Sequence, residues 1–520
     1  MQQLLEDDSV FNKKAVIRFA EKHIDVEERE VFLGQFWSSK ELVLVAENLY
    51  TSKTVLREEQ KLLRMAARLA GKSRFIVEPR HEIELNAEQK RVIDYVCRGS
   101  NLTCIEGRAG TGKSRALCAV RDTYEAEGYI VRGLAPTSSV AHDMQQNGFK
   151  YSYNVHSFLY RQYHDRLKIA QRKEIWLVDE AAMVPNPVMG ELLDVAWRNN
   201  AKVVLIGDEK QLCAIGRGGA FKACVERFGS VSLEQIVRQK DEHCRVITEN
   251  IAAGKIREAL FQMNENGAWN HKETEQEAIQ NMMNIWYENY KKQPQNSFVL
   301  LEYRNEYVRL FNSHIHDVLQ ARGELGSDNI KVNTARYGFM NFSMGDSIVF
   351  RANNAELGMH NGQRGILIAA DRHRFVVQIN DNQSIEFDPY QYTDFQHGYA
   401  GTIHSTQGLT FDYVYTLHSH HVDQRLFYVA NSRHKLSCHY FSYGDQARVY
   451  QDVSRLPARD FCSESLKREV PHWLTKTMYA IRDYMCKNHE FYQNPYRQYH
   501  ERGVLITNIK ENARMPGYRT

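Results

Sequence analysis

The residues with the clearest chemical potential form the run GRAGTGKS, from Gly107 to Ser114. The run matches the phosphate-loop pattern G-x-x-x-x-G-K-[ST], in which glycines allow backbone N–H groups to turn toward phosphate oxygens. Lys113 would bring a full positive charge to the phosphates, and the Ser114 hydroxyl would take a Mg²⁺ position. A strand is predicted before the loop and a helix after it, which is the context that a nucleoside triphosphate requires. The predicted loop comprises Gly107, Arg108, Ala109, Gly110, Thr111, Gly112, Lys113 and Ser114.

A second group of candidate residues is a pair of acids, Asp179 and Glu180. They follow the apolar run from Ile175 to Val178, which is typical of a buried parallel strand. Ligands bind at the carboxyl ends of strands in open α/β sheets, so both acids would face the phosphate loop. We expect Asp179 to orient Mg²⁺ through its water shell and Glu180 to position and deprotonate the attacking water. ATP and Mg²⁺ are therefore the predicted cofactors.

The composition limits the class of protein. The chain has 520 residues, of which 25% are charged, and its formal net charge is only +3, so a nucleic-acid surface would have to be a local patch. The nine cysteines include no C-x-x-C pair, which argues against a zinc ribbon and against a disulfide framework. Since no apolar stretch suits a membrane span and the acidic N-terminus does not suit a signal peptide, we expect a soluble, cytoplasmic protein.

Hydrophobic periodicity predicts an α/β fold. Between Leu85 and Gly229, apolar strands alternate with helical patterns, which favours a mostly parallel sheet. The first 80 or so residues are predicted to be helical, including the run Leu42 to Val45. Short alternating runs between Phe342 and Phe387 predict a small antiparallel barrel. The strands predicted in the first sheet are Thr103 to Ile105, Ile130 to Leu134, Ile175 to Val178 and Lys202 to Ile206.

Further motifs follow the phosphate loop and the acidic strand in a fixed order. They are GDEKQL (Gly207 to Leu212), VRQ (Val237 to Gln239), GTIHSTQG (Gly401 to Gly408) and YVANSRHK (Tyr428 to Lys435). With these motifs the chain resembles superfamily 1 helicases of the RecD-like branch. Within that branch it is similar to the helicase portion of TraA-type conjugative transfer proteins. The resemblance spans about residues 8 to 445.

The resemblance implies two RecA-like P-loop domains in tandem, with a small SH3-like β-barrel inserted in the second and a helical domain at the N-terminus. The predicted boundaries are 1–82 for the helical domain, 83–232 for the first RecA-like domain, 233–332 with 394–450 for the second, 333–393 for the barrel and 451–520 for a helical or irregular tail.

The resemblance also implies roles for single residues. Gln89 would read adenine, Gln211 would sense the γ-phosphate, and Gly408 would lie at the cleft between the domains. Arg238 and Arg433 would reach the γ-phosphate from the second domain, and such arginines contribute about 10³ to 10⁵ in rate by neutralising transition-state charge. The residues implied for the single-strand path are Pro136, Thr137, His156, Ser157, Thr402 and His404.

Other residues are weaker candidates for contacts with DNA or metal. Phe158 and Tyr160 would offer faces for base stacking, with core packing as the alternative. The run HSHHVD, from His418 to Asp423, has metal-ligand residue types, but its place in a variable loop argues against a metal site. The barrel carries basic residues that would contact phosphates, namely Lys331, Arg351, Arg364 and Arg374.

Together these features predict an ATP-hydrolysing DNA helicase, and the resemblance implies that it moves 5′-to-3′ on single-stranded DNA. Two departures from the family leave alternatives open. The segment between Phe158 and Glu174 is short for a duplex-splitting hairpin, and no relaxase-type histidine cluster precedes the helicase motifs. The expected role is conjugative transfer of a plasmid or mobile element. The alternatives are an ATP-gated DNA-binding module, a scaffold partner of a separately encoded relaxase, and an RNA motor.

Overall fold

The computed structural model describes residues 1–456, apart from residues 2, 6–8, 47, 81–83, 165–172, 212–216, 355 and 381–382. The part of the predicted tail beyond residue 456 lies outside the described residues, as does most of the short segment where a duplex-splitting hairpin was considered. Short 3₁₀ turns occur at Gln3–Leu5, Val26–Glu28, Ala181–Met183 and His404–Thr406.

The N-terminal segment contains a small antiparallel sheet as well as helices. Its elements are β1 (Phe11–Asn12), α1 (Lys13–His23), α2 (Arg29–Trp37), β2 (Leu42–Ala46) and β3 (Leu49–Ser52). The strand order is β1-β3-β2. The prediction of a helix at Leu42 to Val45 is therefore wrong. Alternating β-branched valines favour a strand there, and Asn48, at φ 60°, takes the left-handed conformation between β2 and β3.

Helix α3 (Lys53–Ala70) packs against the first of two lobes that are each built on a parallel sheet, and it contributes to the core of that lobe. Ser52 caps the helix by accepting a hydrogen bond from the Val55 amide. Its apolar face, including Leu62 and Leu69, shares one buried cluster with Leu192 and Leu193. This long amphipathic helix thus joins the small N-terminal sheet to the first lobe.

The first lobe, residues 84–233, is built on a six-stranded parallel sheet with strand order β6-β5-β7-β8-β4-β9. Apolar cores lie on both faces of the sheet. The four predicted strands are confirmed, whereas β6 and β9 were not predicted because they are short. The strands are β4 (Leu102–Gly107), β5 (Ile130–Ala135), β6 (Tyr151–Asn154), β7 (Glu174–Val178), β8 (Lys202–Gly207) and β9 (Val231–Leu233). The helices are α4 (Ala87–Arg98), α5 (Lys113–Ala126), α6 (Ser138–Gln146), α7 (Val155–His164), α8 (Asn186–Arg198) and α9 (Ala220–Phe228).

The second lobe, residues 242–325 and 400–454, has a five-stranded parallel sheet with order β10-β21-β20-β11-β19. Buried clusters again cover both faces. The strands are β10 (Trp269–Lys272), β11 (Phe298–Glu302), β19 (Ala400–Thr402), β20 (Phe411–Leu417) and β21 (His434–Tyr443). The helices are α10 (Glu242–Ala252), α11 (Ile256–Glu265), α12 (Glu275–Lys292), α13 (Asn305–Ala321), α14 (Gln424–Asn431) and α15 (Gln446–Ser454).

An antiparallel insertion separates α13 from β19. Its five-stranded sheet has the order β17-β16-β15-β14-β18, and the hairpin β12–β13 shares the same core. The prediction of antiparallel strands here is confirmed, and the barrel closure remains a prediction. The strands are β12 (Ile330–Thr334), β13 (Gly338–Phe342), β14 (Ser347–Phe350), β15 (Arg364–Asp371), β16 (Arg374–Asn380), β17 (Gln383–Phe387) and β18 (Phe395–His397).

Candidate nucleotide site between the two lobes

The phosphate loop connects β4 to α5 and depends on its glycines. Gly110 and Gly112 have φ values of 80° and 79°, a conformation that side chains rarely adopt. A Cβ on Gly107 would come within 2.6 Å of the Lys113 side chain, and one on Gly112 within 2.4 Å of Gln89 Nε2. The loop is therefore shaped so that the backbone itself faces the space in front of α5.

The Lys113 ammonium is the best indicator of what this space accommodates. Its Nζ is buried and has no hydrogen-bond partner in the described part of the chain. The Glu180 Oε2 atom lies 3.7 Å away. Because a buried cation without strong hydrogen bonds is costly, the pocket is suited to an anion with several acceptors. The phosphates of a nucleotide meet that requirement at the N-terminus of α5.

Both predicted acids stand at the carboxyl end of β7. The Asp179 Oδ1 atom accepts a hydrogen bond of 2.8 Å from the Glu180 amide. Glu180 has a φ of 49°, a strained conformation of the kind found at functional sites. Burial, followed by the nearby Glu180 charge, raises the pKa of Asp179 to about 6. A divalent cation would favour the ionised form, and the Ser114 hydroxyl with the Asp179 carboxylate forms an oxygen donor set that suits Mg²⁺.

A cavity of about 230 Å³ lies between the lobes. The first lobe and the segment after β9 supply most of its walls, and the second lobe supplies Gly408 and Arg433. Gly408 has a φ of 84° and faces Val140 across the lobes. The predicted site residues that line the cavity are Ala109, Gly110, Gly112, Lys113, Ser114, Asp179, Glu180, Gln211, Arg238, Gly408 and Arg433.

The two predicted arginine fingers both reach this cavity, but from different sides. The Gly110 carbonyl accepts hydrogen bonds from the Val237 and Arg238 amides, at 2.8 and 3.0 Å. Arg238 is thus anchored to the phosphate loop, and the prediction that it reaches in from the second domain is corrected. Its Nη1 donates to the Ser432 carbonyl at 2.7 Å. Arg433 follows α14 and belongs to the second lobe.

Among the described residues, carbonyl and amide oxygens rather than a carboxylate hold the two guanidinium groups. Burial, together with the neighbouring Arg433 charge, lowers the pKa of Arg238 to about 10. Burial also lowers the pKa of Arg433, which is 1% exposed. Two buried cations beside Lys113 make the cavity strongly attractive to a polyphosphate.

Asp208 connects the phosphate loop to the second lobe, and the sequence reasoning did not assign it a role. Its Oδ2 atom accepts hydrogen bonds from the Ala109 amide at 3.0 Å, the Gln211 amide group at 3.0 Å and the Tyr428 hydroxyl at 3.1 Å. Gln211 Oε1 in turn accepts a 2.6 Å hydrogen bond from Arg433 Nη2. Asp208 lies in the motif GDEKQL and Tyr428 in the motif YVANSRHK, so the two motifs were the sequence signal that could have identified this contact.

Some predicted nucleotide residues lie beside the cavity rather than in its wall. Gln89 Nε2 lies 3.5 Å from the Thr111 and Gly112 carbonyls, so it supports the loop from behind. The Thr111 hydroxyl donates to the Arg108 carbonyl at 2.9 Å. Arg108 lies 3.5 Å from Glu234. The role of Gln89 in reading adenine remains a prediction.

The residues predicted for the strand path lie at or just after the carboxyl ends of β5, β6 and β19, and none of them is in the cavity wall. Pro136 and Thr137 follow β5, His156 and Ser157 open α7 after β6, and Thr402 and His404 end and follow β19. The side chains of Thr137, His156, Ser157 and His404 are exposed, while those of Pro136 and Thr402 are half-buried. Their role in binding DNA remains a prediction.

The two aromatic candidates for base stacking differ sharply. Phe158 is 2% exposed and packs edge-on against Trp176 at 4.9 Å, so it belongs to the core, and the stacking prediction is wrong for it. It lies one turn into α7, on the inner face of that helix. Tyr160 is 63% exposed and remains a candidate.

The basic residues predicted for the insertion are also divided. Lys331 is exposed. Arg374 pairs with Glu386 at 2.9 Å, which weakens its case as a phosphate contact. Arg364 donates to the Gly398 carbonyl at 2.6 Å, and burial lowers the pKa of both Arg364 and Arg351.

In the HSHHVD run, His418 Nδ1 lies 2.7 Å from the Tyr440 hydroxyl.

Comparisons with known proteins agree with this geometry. A family described as an AAA domain matches residues 84–274, and one described as the viral superfamily 1 RNA helicase core domain matches residues 347–442. The conjugal transfer protein TraA of Rhizobium radiobacter is 32% identical over 397 residues, which are 74% of this chain and 36% of that protein. The predicted resemblance to the superfamily 1 helicases is therefore confirmed. The ATP-dependent RecD2 DNA helicase of Deinococcus radiodurans is 26% identical over 402 residues, 73% of this chain and 53% of that protein.

The fold of this chain is also found among solved structures. A Pif1 helicase from Bacteroides, in complex with ADP-AlF3 and single-stranded DNA, aligns with a TM-score of 0.51 and 17% identity over 74% of this chain and 97% of that one. The chain spans only 36% of the length of the TraA relative. None of the helices in the described ranges has the length and apolar content needed to cross a bilayer.

Proposed function

We propose that this chain is an ATP-driven translocase and helicase that acts on single-stranded DNA, moves 5′-to-3′, and serves conjugative transfer of a plasmid or mobile element. The observation that carries the proposal is the cavity between the lobes, where Lys113 and Glu180 face Arg433 from the opposite lobe. The similarity to TraA supports the conjugative role, and the similarity to RecD2 supports DNA as the substrate.

The proposed chemistry assigns each group a task. Lys113 binds the β- and γ-phosphates, Ser114 and Asp179 hold Mg²⁺, and Glu180 takes the proton of the attacking water. Arg238 and Arg433 neutralise charge that spreads over the γ-phosphoryl oxygens in the transition state. Mg²⁺ supplies further charge neutralisation when bound.

The link between hydrolysis and movement rests on the hydrogen bonds that cross the cleft. Arg433 donates to Gln211, and Tyr428 donates to Asp208, so closure of the lobes completes the site. Release of phosphate removes the anion that holds the two lobes together, and the lobes separate. With a strand bound across the carboxyl ends of β5, β6 and β19, each closure and opening would advance the chain along DNA.

The decisive experiment compares ATP turnover with and without single-stranded DNA, followed by unwinding of forks with either a 5′ or a 3′ tail. We expect DNA to stimulate turnover at least tenfold, a barrier change of about 1.4 kcal/mol. Lys113→Ala and Glu180→Gln should abolish turnover, whereas Lys90→Ala, an exposed lysine on α4, should leave it unchanged. Unwinding only of the 5′-tailed fork supports the stated polarity.

The same experiment distinguishes the alternatives. Stimulated turnover without unwinding would identify an ATP-gated DNA-binding module or translocase that does not separate strands. Turnover that single-stranded DNA leaves unchanged, but RNA stimulates, would overturn the choice of DNA. Absence of turnover with either nucleic acid would refute the motor function altogether.

A further inference from the structure

Three residues with metal-binding side chains meet in the core at the base of the insertion. They are His316 on α13, Asp346 in the turn before β14 and His397 at the end of β18. Each offers a donor atom, and the donor atoms lie within 4.8 Å of one another. All three side chains are buried, with exposures of 2%, 0% and 1%. The nucleotide chemistry makes no use of them.

We propose that His316, Asp346 and His397 bind a transition-metal ion of the zinc class and that this ion fastens the insertion to the second lobe. Two imidazoles and one carboxylate form a donor set that suits Zn²⁺ and Co²⁺. The proposal is independent of the function assigned to the cavity between the lobes.

The distances agree with tetrahedral coordination. His316 Nδ1 lies 3.0 Å from both Asp346 oxygens, and His397 Nε2 lies 3.5 Å from Asp346 Oδ2. In a tetrahedral site with bonds near 2.1 Å, neighbouring donor atoms are about 3.4 Å apart. The two rings stack with centroids 5.0 Å apart and planes inclined by 24°, so both imidazoles face the carboxylate together.

The hydrogen bonding of the cluster points to a missing partner. Neither ring nitrogen of His397 has a hydrogen-bond partner among the described residues, and the same holds for His316 Nε2. Unpaired polar nitrogens in a core are rare because each costs free energy, whereas a metal ion satisfies a neutral imidazole nitrogen directly. The buried Ser343 hydroxyl, in the turn next to Asp346, is also without a partner in this part of the structure.

The carboxylate is oriented as metal-binding carboxylates usually are. The Tyr399 hydroxyl donates to Asp346 Oδ1 at 2.7 Å, and the Ser343 amide donates to Oδ2 at 2.7 Å. Such outer hydrogen bonds fix the direction in which a ligand presents its free electron pairs. Burial would raise the pKa of Asp346, but the adjacent His316 and His397 side chains hold it well below its usual range.

The position of the cluster explains what a metal ion would achieve there. Asp346 and His397 flank the paired strands β14 and β18, through which the insertion is attached, while His316 belongs to the second lobe. One ion would therefore hold the insertion and the lobe in a fixed relative orientation. Full burial leaves no open position for substrate, so the ion would be structural.

The test measures metal in the full-length chain. The protein is expressed with zinc supplementation, passed through a chelator column, and analysed by inductively coupled plasma mass spectrometry. We expect about one zinc ion per chain in the wild type and nearly none in His397→Phe, which keeps a ring against Phe342 but removes both nitrogens. The matched control is His373→Phe, because His373 is exposed and also lies beside an aspartate, Asp388, at 3.4 Å; it should retain the wild-type zinc content.

A second measurement keeps the proposal testable if His397→Phe does not fold. Wild-type protein stripped of metal is titrated with Co²⁺, and the visible d–d bands of a four-coordinate ion with nitrogen and oxygen donors are recorded. These bands should appear at one equivalent, and Zn²⁺ should displace them. A wild-type chain that carries no zinc and gives no such bands would overturn the proposal and leave the cluster as a buried polar group around Asp346. Wild-type zinc content in folded His397→Phe would also overturn it.

Discussion

Replacement of Arg433 by alanine is the sharpest test of the site between the lobes. Arg433 is 1% exposed and is the cation that the second lobe contributes to the cavity wall. Arginines that meet the γ-phosphate in the transition state contribute about 10³ to 10⁵ in rate, or about 4 to 7 kcal/mol. We therefore expect Arg433→Ala to lower DNA-stimulated turnover at least a thousandfold while the variant still binds nucleotide.

The same substitution also affects folding, and the structure gives the size of that effect. Arg433 Nη2 donates to Gln211 Oε1 and its Nε donates to the Val429 carbonyl at 3.1 Å. Loss of both donors leaves the buried Gln211 Oε1 acceptor unpaired, at about 1 to 3 kcal/mol, whereas the Val429 carbonyl still accepts hydrogen bonds from Ser432. Removal of a buried cation without a carboxylate partner offsets part of this loss, because desolvation opposes the charged form.

Two further variants separate catalysis from stability. Arg433→Lys keeps the charge but loses the planar fork, so its turnover should lie between those of the wild type and the alanine variant. Arg448→Ala removes an exposed arginine from α15 of the same lobe and should leave turnover unchanged. Turnover should be measured with saturating single-stranded DNA, nucleotide affinity with a fluorescent ADP analogue, and folding by denaturant titration. Folded Arg433→Ala with turnover within tenfold of the wild type would refute the reasoning.

Three other predictions follow from single side chains. Tyr428→Phe removes the hydroxyl that donates to Asp208, and denaturant titration should show a loss of about 1 kcal/mol in unfolding free energy. Phe158→Ala should cost about 3 to 5 kcal/mol of stability because it opens a core cavity, whereas Tyr160→Ala should change stability by less than about 0.5 kcal/mol and weaken single-strand affinity by about 1 to 3 kcal/mol in fluorescence anisotropy. Equal effects of these two variants on both measurements would contradict the assignment. Burial lowers the pKa of His434 from 6.5 to about 3, so the unfolded chain binds more protons between these values and stability must fall as pH drops below 6.5. By pH 5 this loss should be about 2 kcal/mol, and urea titrations of His434→Phe should lack that part of the pH dependence.

The phosphate loop and the acid pair could be predicted because the residues of each are close in sequence and their geometry is local. The loop from Gly107 to Ser114 carries its own strand, glycines and lysine, and Asp179 with Glu180 follows an unmistakably apolar strand. The antiparallel insertion was predictable for a similar reason, since its strands alternate and turn residues separate them. In both places the local pattern and the tertiary environment favour the same structure.

Other features depend on contacts between distant residues, which local sequence patterns do not reveal. His316, Asp346 and His397 come from three elements that the insertion brings together, so no motif spacing could reveal the cluster. The strand at Leu42–Ala46 forms because a partner strand pairs with it, which overrides the expectation from its charged neighbours. The role of Phe158 was ambiguous because an aromatic residue on a short helix can either pack in the core or stack on a nucleic-acid base.

The attachment of Arg238 to Gly110 has a consequence for how the motor would generate force. The Arg238 amide is bonded to the phosphate loop while its guanidinium donates to the Ser432 carbonyl of the second lobe, so in the proposed motor this residue would connect the two lobes beside the triphosphate. Arg433, in contrast, belongs to the second lobe, which would move relative to the phosphate loop. The extent of lobe closure would then depend on how far the Arg433 guanidinium moves toward a nucleotide that the phosphate loop already holds. Lengthening α14 or the turn after it would change this movement without altering the phosphate loop.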